Sequence, residues 1–171
     1  MKKLLFIGGP MGVGKTSVAK LLQKKLPQTV YLDGDWCWFT NPWILNEETR
    51  QIALDNICYM LNNFLASKSY QNIILTWILQ SDELIESITN RLNLKNVSFY
   101  NFSLIASEEA IINRLELDLA EGIRTERVVI PRSLERLEQI KKVSSIQIDT
   151  TDKGEDEVVE EILEELGGYN D

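Results

Sequence analysis

The sequence contains no histidine. That excludes imidazole metal ligands, imidazole general bases and every Ser-His-Asp arrangement, so acid–base chemistry falls to carboxylates, lysines or tyrosines. Cysteine is nearly as scarce: Cys37 and Cys58, both in apolar or aromatic surroundings, read as buried free thiols rather than as a disulfide. No apolar run approaches the length of a membrane span. The N-terminal run over residues 4–7 is broken by Gly8, Gly9 and then Lys15. It is too short for the apolar region of a signal peptide, and the expected location is the cytoplasm. Positive charge is also in deficit, with 18 basic against 26 acidic residues and a net charge of −8. Nucleic acid and anionic membrane surfaces are therefore not expected as partners, because both would be repelled.

What is present is the profile of an ordinary folded domain. With 171 residues, 44% of them hydrophobic and 26% charged, the chain is expected to form one domain over residues 1–171 with a full core. Short apolar runs predict strands over residues 4–7, 30–32, 73–79, 97–104 and 146–148. Apolar residues at helical spacing predict helices over residues 15–26, ended by Pro27, and over residues 47–66. Ser81 and Ser107 are placed to cap two more, the first running to about Arg91. A final helix carries Val158, Val159, Ile162 and Leu163, and Gly167 and Gly168 stop it. Residues 121–136 read as a basic, irregular stretch, with Gly122 and Pro131 inside it. Strands alternating with helices predict an α/β fold of three α/β/α layers around a five-stranded parallel sheet.

The first predicted strand runs into Gly9-Pro10-Met11-Gly12-Val13-Gly14-Lys15-Thr16, which satisfies G-x-x-x-x-G-K-[ST] in full. Glycines let such a loop wrap until successive backbone N–H groups point at phosphate oxygens, and the following helix adds its positive dipole end. Lys15 is expected to reach the β- and γ-phosphates, and the Thr16 hydroxyl to ligate Mg²⁺. Nucleotide contacts are assigned to Gly9, Met11, Gly12, Val13, Gly14, Lys15, Thr16 and Ser17. A chance match arises in a chain this long on the order of once in a hundred. The flanking strand and amphipathic helix supply the context the chemistry needs, so the expected fold is a P-loop NTPase.

Asp33 and Asp35 close the second predicted strand, the end that faces the ligand crevice of a parallel sheet. One carboxylate there can hold Mg²⁺ through water while the other orients or deprotonates an acceptor hydroxyl. The competing reading is a simple turn, for which Asp-Gly is a favoured pair. Trp36, Trp38, Phe39 and Trp43 crowd the next loop, and Trp77 sits near the end of the third strand. These rings suit either a wall for a planar or apolar ligand or ordinary core packing. Thr76, Trp77 and Gln80 stand where a second metal-side aspartate is often found, which leaves the outer-sphere metal role to Asp33. The guanine-reading N-K-x-D motif of small GTPases is absent.

In size and layout the chain resembles the nucleoside-monophosphate-kinase-like group of small P-loop kinases, which includes shikimate kinase, gluconate kinase and chloramphenicol phosphotransferase. The resemblance covers nearly the whole chain and rests on the P-loop, Asp33-Gly34-Asp35 and the arginine-rich segment. It implies that Asp33 is the metal-side group and Asp35 the acceptor-side base. It implies that Arg114 packs on the adenine ring, and that the loop after Ile148 reads the base. It implies an acceptor-binding region over about 33–66, with Asp35, Trp36, Trp38 and Trp77 against the acceptor. Finally, it implies a mobile lid over about 121–133 that brings an arginine, Arg124 first among Arg124, Arg127, Arg132 and Arg136, onto the transferring phosphoryl group. Asp118 occupies the position where the group often has a second arginine after Arg114.

The expected activity is transfer of the γ-phosphoryl group of ATP to a hydroxyl of a small molecule, with Lys15, Asp35 and Arg124 catalytic and Thr16 and Asp33 on the metal. Two rivals stay open: a nucleotide or nucleoside kinase, and a non-catalytic ATP-binding protein that confers resistance by sequestration. The chain is expected to act as a monomer or homodimer.

Overall fold

The structure, a computed structural model, describes residues 1–167. Gly168, expected to help stop the last helix, lies outside them. Chain order is β1 (Lys2–Gly8), α1 (Lys15–Lys25), β2 (Thr29–Asp33), α2 (Glu47–Ala66), β3 (Asn72–Thr76), α3 (Asp82–Thr89), β4 (Val97–Ile105), α4 (Glu108–Ala120), α5 (Val129–Ile140), β5 (Ile146–Asp149) and α6 (Glu155–Glu165). The five strands form one parallel sheet in the order β2-β3-β1-β4-β5. β1 is central, and its residues Leu4 to Ile7 are all fully buried. Alternation along the strand splits them between two cores. Leu5 and Ile7 join Val18, Leu22, Leu115 and Val159 on one face, and Leu4 and Phe6 join Ile57, Leu61, Ile85 and Ile88 on the other. The expected α/β/α sandwich and five-stranded parallel sheet are therefore present.

Local chemistry sets the helix starts. Asn46, Ser81 and Ser107 each accept a backbone N–H three residues on, satisfying a donor that has no partner inside the helix.

Three expectations need correction. β3 stops at Thr76 rather than residue 79, because the chain then turns across the P-loop base, where the Ile78 carbonyl accepts from Gly9 N at 3.2 Å. Helix α3 stops at Thr89, two residues short of Arg91. The stretch over 121–136 is not irregular throughout, because α5 begins at Val129. Pro131 is the third residue of α5, in the first turn, where a backbone N–H has no helical partner to lose. The irregular part is confined to residues 121–128.

Candidate functional site

The P-loop joins β1 to α1 at the carboxyl edge of the sheet. Gly12 and Gly14 take left-handed backbone, with φ of 80° and 103°. At Gly12 an added Cβ would stand 2.8 Å from the Leu115 side chain, so both space and conformation require glycine. From the first turn of α1, Lys15 Nζ donates to the Gly9 and Pro10 carbonyls at 2.7 and 2.8 Å. The ammonium is thus held inside the loop. Burial pushes its pKa down to about 8, while the nearby Asp35 and Asp33 carboxylates oppose the shift and Arg124 adds to it. Lys15, Asp33, Asp35 and Arg124 therefore share one electrostatic site, drawn from α1, the end of β2 and the connection after α4.

The turn reading of Asp33-Gly34-Asp35 holds, and the turn stands at the edge of the sheet where the ligand reading needs its carboxylates. Asp33 caps a short 3₁₀ turn over Gly34–Trp38 by accepting from Asp35 N at 3.0 Å, and the turn lies at the ligand edge of the sheet. Gly34 is needed for space: a Cβ there would sit 2.6 Å from Trp77 Cγ. That close approach lets Trp77 Nε1 donate to Asp35 Oδ1 at 3.2 Å. The rings continue outward, Trp77 to Trp38 at 6.0 Å, Trp38 to Trp43 at 5.1 Å and Tyr31 to Trp36 at 5.3 Å between centroids. Of the expected acceptor-side rings, Trp77 bonds Asp35, Trp38 packs on Trp77 and Trp36 packs on Tyr31, whereas Gln80 lies apart, in a pocket with Asp82, Gln139 and Lys142.

Tyr31 is a site residue that sequence reasoning missed. Its buried hydroxyl donates to Asp33 Oδ2 at 3.2 Å and shares a 2.9 Å hydrogen bond with Thr76 Oγ1. Burial pushes its pKa up to about 12, with the Thr76 and Thr16 hydroxyls pulling the other way and Asp33 reinforcing the rise. Tyr31 stays neutral and ties Asp33 and Thr76 together beside Thr16. The available signal was position: Tyr31 and Asp33 are two apart on one strand and so share a face. Among the described residues no group of three or more His, Cys, Asp or Glu side chains forms a metal cage. The Thr16 hydroxyl and Asp33 carboxylate beside Tyr31 are hard oxygen donors, the type that suits Mg²⁺ completed by phosphates and water.

On the other flank, Arg114 of α4 donates to Thr150 Oγ1, Thr150 O and Thr151 O at 3.0, 2.6 and 3.3 Å. Its guanidinium is pinned to the loop between β5 and α6, and with Gly12, Val13, Thr150 and Lys153 it lines a pocket of about 210 Å³ beside the P-loop. Arg124 is held in turn: Asp118 Oδ2 accepts from its Nε at 3.0 Å, and the Asp118 carbonyl accepts from the backbone of Ile123 and Arg124. The acid at the position where a second arginine is often found thus anchors Arg124. Arg136 bonds Gln139 within α5 at 2.9 Å. Ser133, also missed, lies fully buried on α5 and donates to the Met11 carbonyl at 2.6 Å.

A phosphate-binding loop at the carboxyl edge of a β2-β3-β1-β4-β5 sheet, with an acidic turn on one side and a short connection carrying Arg124 and Arg127 on the other, defines a P-loop domain of the small-kinase fold. A family model described as an AAA domain matches residues 5–147, and the chain belongs to that family. Solved structures agree on the fold. A gluconokinase from Sinorhizobium meliloti 1021 superposes with a TM-score of 0.70 at 18% identity, over 96% of this chain and 91% of that one. The tunicamycin resistance protein of Deinococcus radiodurans gives 0.70 at 20% identity, over 99% and 98%. The shikimate kinase of Acinetobacter baumannii, solved with shikimate, gives 0.64 at 19% identity, over 97% and 93%. A comparison with curated protein sequences finds no match. Among the described residues no helix is long and apolar enough to cross a membrane.

Proposed function

We propose that the protein transfers the γ-phosphoryl group of ATP to a hydroxyl of a small molecule. The observation that carries this reading is Lys15 held inside the P-loop, with Asp33 and Asp35 at the adjoining end of β2 and, with Arg124, near enough to act on its charge. The kinase fold of the neighbouring structures supports it. The loop amides and Lys15 hold the phosphates, and the pocket beside Arg114 and Thr150 takes the base. Asp35, fixed by Trp77, orients the acceptor hydroxyl. As the acceptor oxygen bonds to the γ-phosphorus, the bond to the ADP oxygen breaks and ADP leaves with that electron pair. The hydroxyl proton passes to the Asp35 carboxylate. Arg124, held through its Nε by Asp118, offsets charge on the transferring group with the rest of its guanidinium. Thr16 and Asp33 are the side chains that would hold Mg²⁺, whose contribution when bound is to neutralise phosphate charge.

The test is Asp35→Asn, assayed by ADP release across a panel of hydroxyl compounds. The expected outcome is at least one acceptor for the native protein, a loss of roughly a hundredfold or more in kcat for the variant, and unchanged Mg-ATP affinity. If Mg-ATP binds and no acceptor is found across a broad panel, the sequestering alternative takes its place.

A further inference from the structure

Twelve large apolar side chains are exposed among the described residues, and six of them fall between Trp36 and Ile52. Trp36, Phe39 and Trp43 are 58%, 87% and 53% exposed. This is the stretch that leaves Asp35, and it adjoins the buried Trp77 ring that fixes the Asp35 carboxylate. Two further exposed apolar residues, Ile123 and Val128, bracket Arg124 on the connection between α4 and α5. Apolar surface concentrated beside the reacting groups, rather than scattered, marks a binding site.

The charges around it are one-sided. Across residues 33–66, with Asp55 taken up by Arg91, the free carboxylates are Asp33, Asp35, Glu47 and Glu48, and the basic groups are Arg50 alone. Arg50 shares the first turn of α2 with both glutamates. No charged residue occurs over residues 77–81, the segment that follows β3. Lys15 and Arg124 are committed to the P-loop carbonyls and to Asp118. Beside Asp35, an acceptor bearing its own carboxylate or phosphate would meet like charge in a partly desolvated place, with no cation of this segment but Arg50 to receive it, and the repulsion there is several times its value in water.

Resting on the phosphotransferase reading, we propose that the acceptor is an alcohol with an apolar, ring-sized body and no anionic group, seated against Trp36, Trp38, Trp43 and Trp77 with its hydroxyl at Asp35. Three of the chain's four tryptophans, Trp38, Trp43 and Trp77, are joined ring to ring, and the fourth, Trp36, follows Asp35 and packs on Tyr31, so intrinsic fluorescence reports occupation of this place independently of turnover.

The experiment titrates the full chain, loaded with Mg-ADP, with two probes of similar size: 4-tert-butylbenzyl alcohol, which is uncharged, and 4-(hydroxymethyl)benzoate, which is anionic. The expected result is a saturable change in tryptophan emission whose half-saturating concentration is about tenfold or more lower for the uncharged probe. Trp36→Ala, at an exposed position where the fold tolerates truncation, is expected to raise that concentration about fivefold and leave Mg-ADP affinity unchanged. Three outcomes would overturn the proposal alone: equal or tighter binding of the benzoate, no saturation by either probe while Mg-ADP binds, or a response to neutral phosphatidylcholine vesicles in place of the probes. The last would make the patch a lipid-docking surface. Failure of the native protein to bind Mg-ADP would overturn the phosphotransferase reading and this inference with it.

Discussion

Asp118 touches neither the P-loop nor, in the proposed reaction, any substrate, yet three of its contacts decide where Arg124 stands. Its carboxylate takes the guanidinium Nε, and its carbonyl takes the backbone N–H groups of residues 123 and 124. The pair is partly exposed, so its contribution to stability is small. Its contribution to geometry is larger, because a displacement of about 1 Å of a charge that acts on the transferring phosphoryl group costs up to a hundredfold in rate. Asp118→Asn is therefore expected to lower kcat roughly tenfold while Mg-ATP affinity and the melting temperature change little. Asp118→Glu should recover part of the loss. Steady-state kinetics beside calorimetric Mg-ATP binding separates the cases: a uniform fall in stability with kcat intact would mean that Arg124 does not need this anchor.

At the scale of elements, α5 does more than cover the sheet. Ser133 lies on its buried face and binds the Met11 carbonyl in the middle of the P-loop, so the helix braces the loop. Ser133→Ala leaves that carbonyl without its partner. The expected cost is about 1–2 kcal/mol, read by chemical denaturation, together with weaker Mg-ATP binding from a loosened loop. A loss of stability with unaltered nucleotide affinity would confine Ser133 to packing. This element is also where the sequence was hardest to read. Val129, Ser133, Leu137 and Ile140 form a helical stripe, but Pro131 among clustered arginines suggested a loop, because a proline is disruptive inside a helix and harmless in its first turn. By contrast, β1, the P-loop and α2 were plain from sequence, since each has a strong local signal: a continuous apolar run, a spaced glycine motif and twenty residues of periodicity. The roles of Tyr31 and Ser133 are long-range and leave no local pattern. Tyr31 reads as an ordinary aromatic strand residue until Thr76, 45 positions away, is brought beside it.

In the whole molecule, the sheet order places the ends of β1, β2 and β3 side by side, and the connections after them supply the cation, the acids and the aromatic wall within one crevice. A protein of net charge −8 thus holds a buried ammonium, Lys15, inside the loop that the proposed reaction loads with a triphosphate. That arrangement has a cost measurable over the entire fold. Lys15 has a pKa of about 8 in the ligand-free protein and the ordinary value of 10.5 when unfolded, with burial the leading cause. Between these values the unfolded chain holds more protons, so stability rises as pH rises through the window. Tyr31 acts with the opposite sign, since its pKa climbs to about 12 on folding. It takes stability away above pH 10, which confines the net gain to pH 8–10. There Lys15 should contribute an increase of about 2 kcal/mol, absent in Lys15→Met, by chemical denaturation at the two pH values. Bound triphosphate reverses the preference by favouring the ammonium. At pH 8, where the phosphates are already ionised, Mg-ATP binding should take up about half a proton, because roughly half of the Lys15 side chains are neutral beforehand. Calorimetry in two buffers of different ionisation enthalpy measures that uptake directly. Identical binding heats in both would show that Lys15 is already charged before the nucleotide arrives.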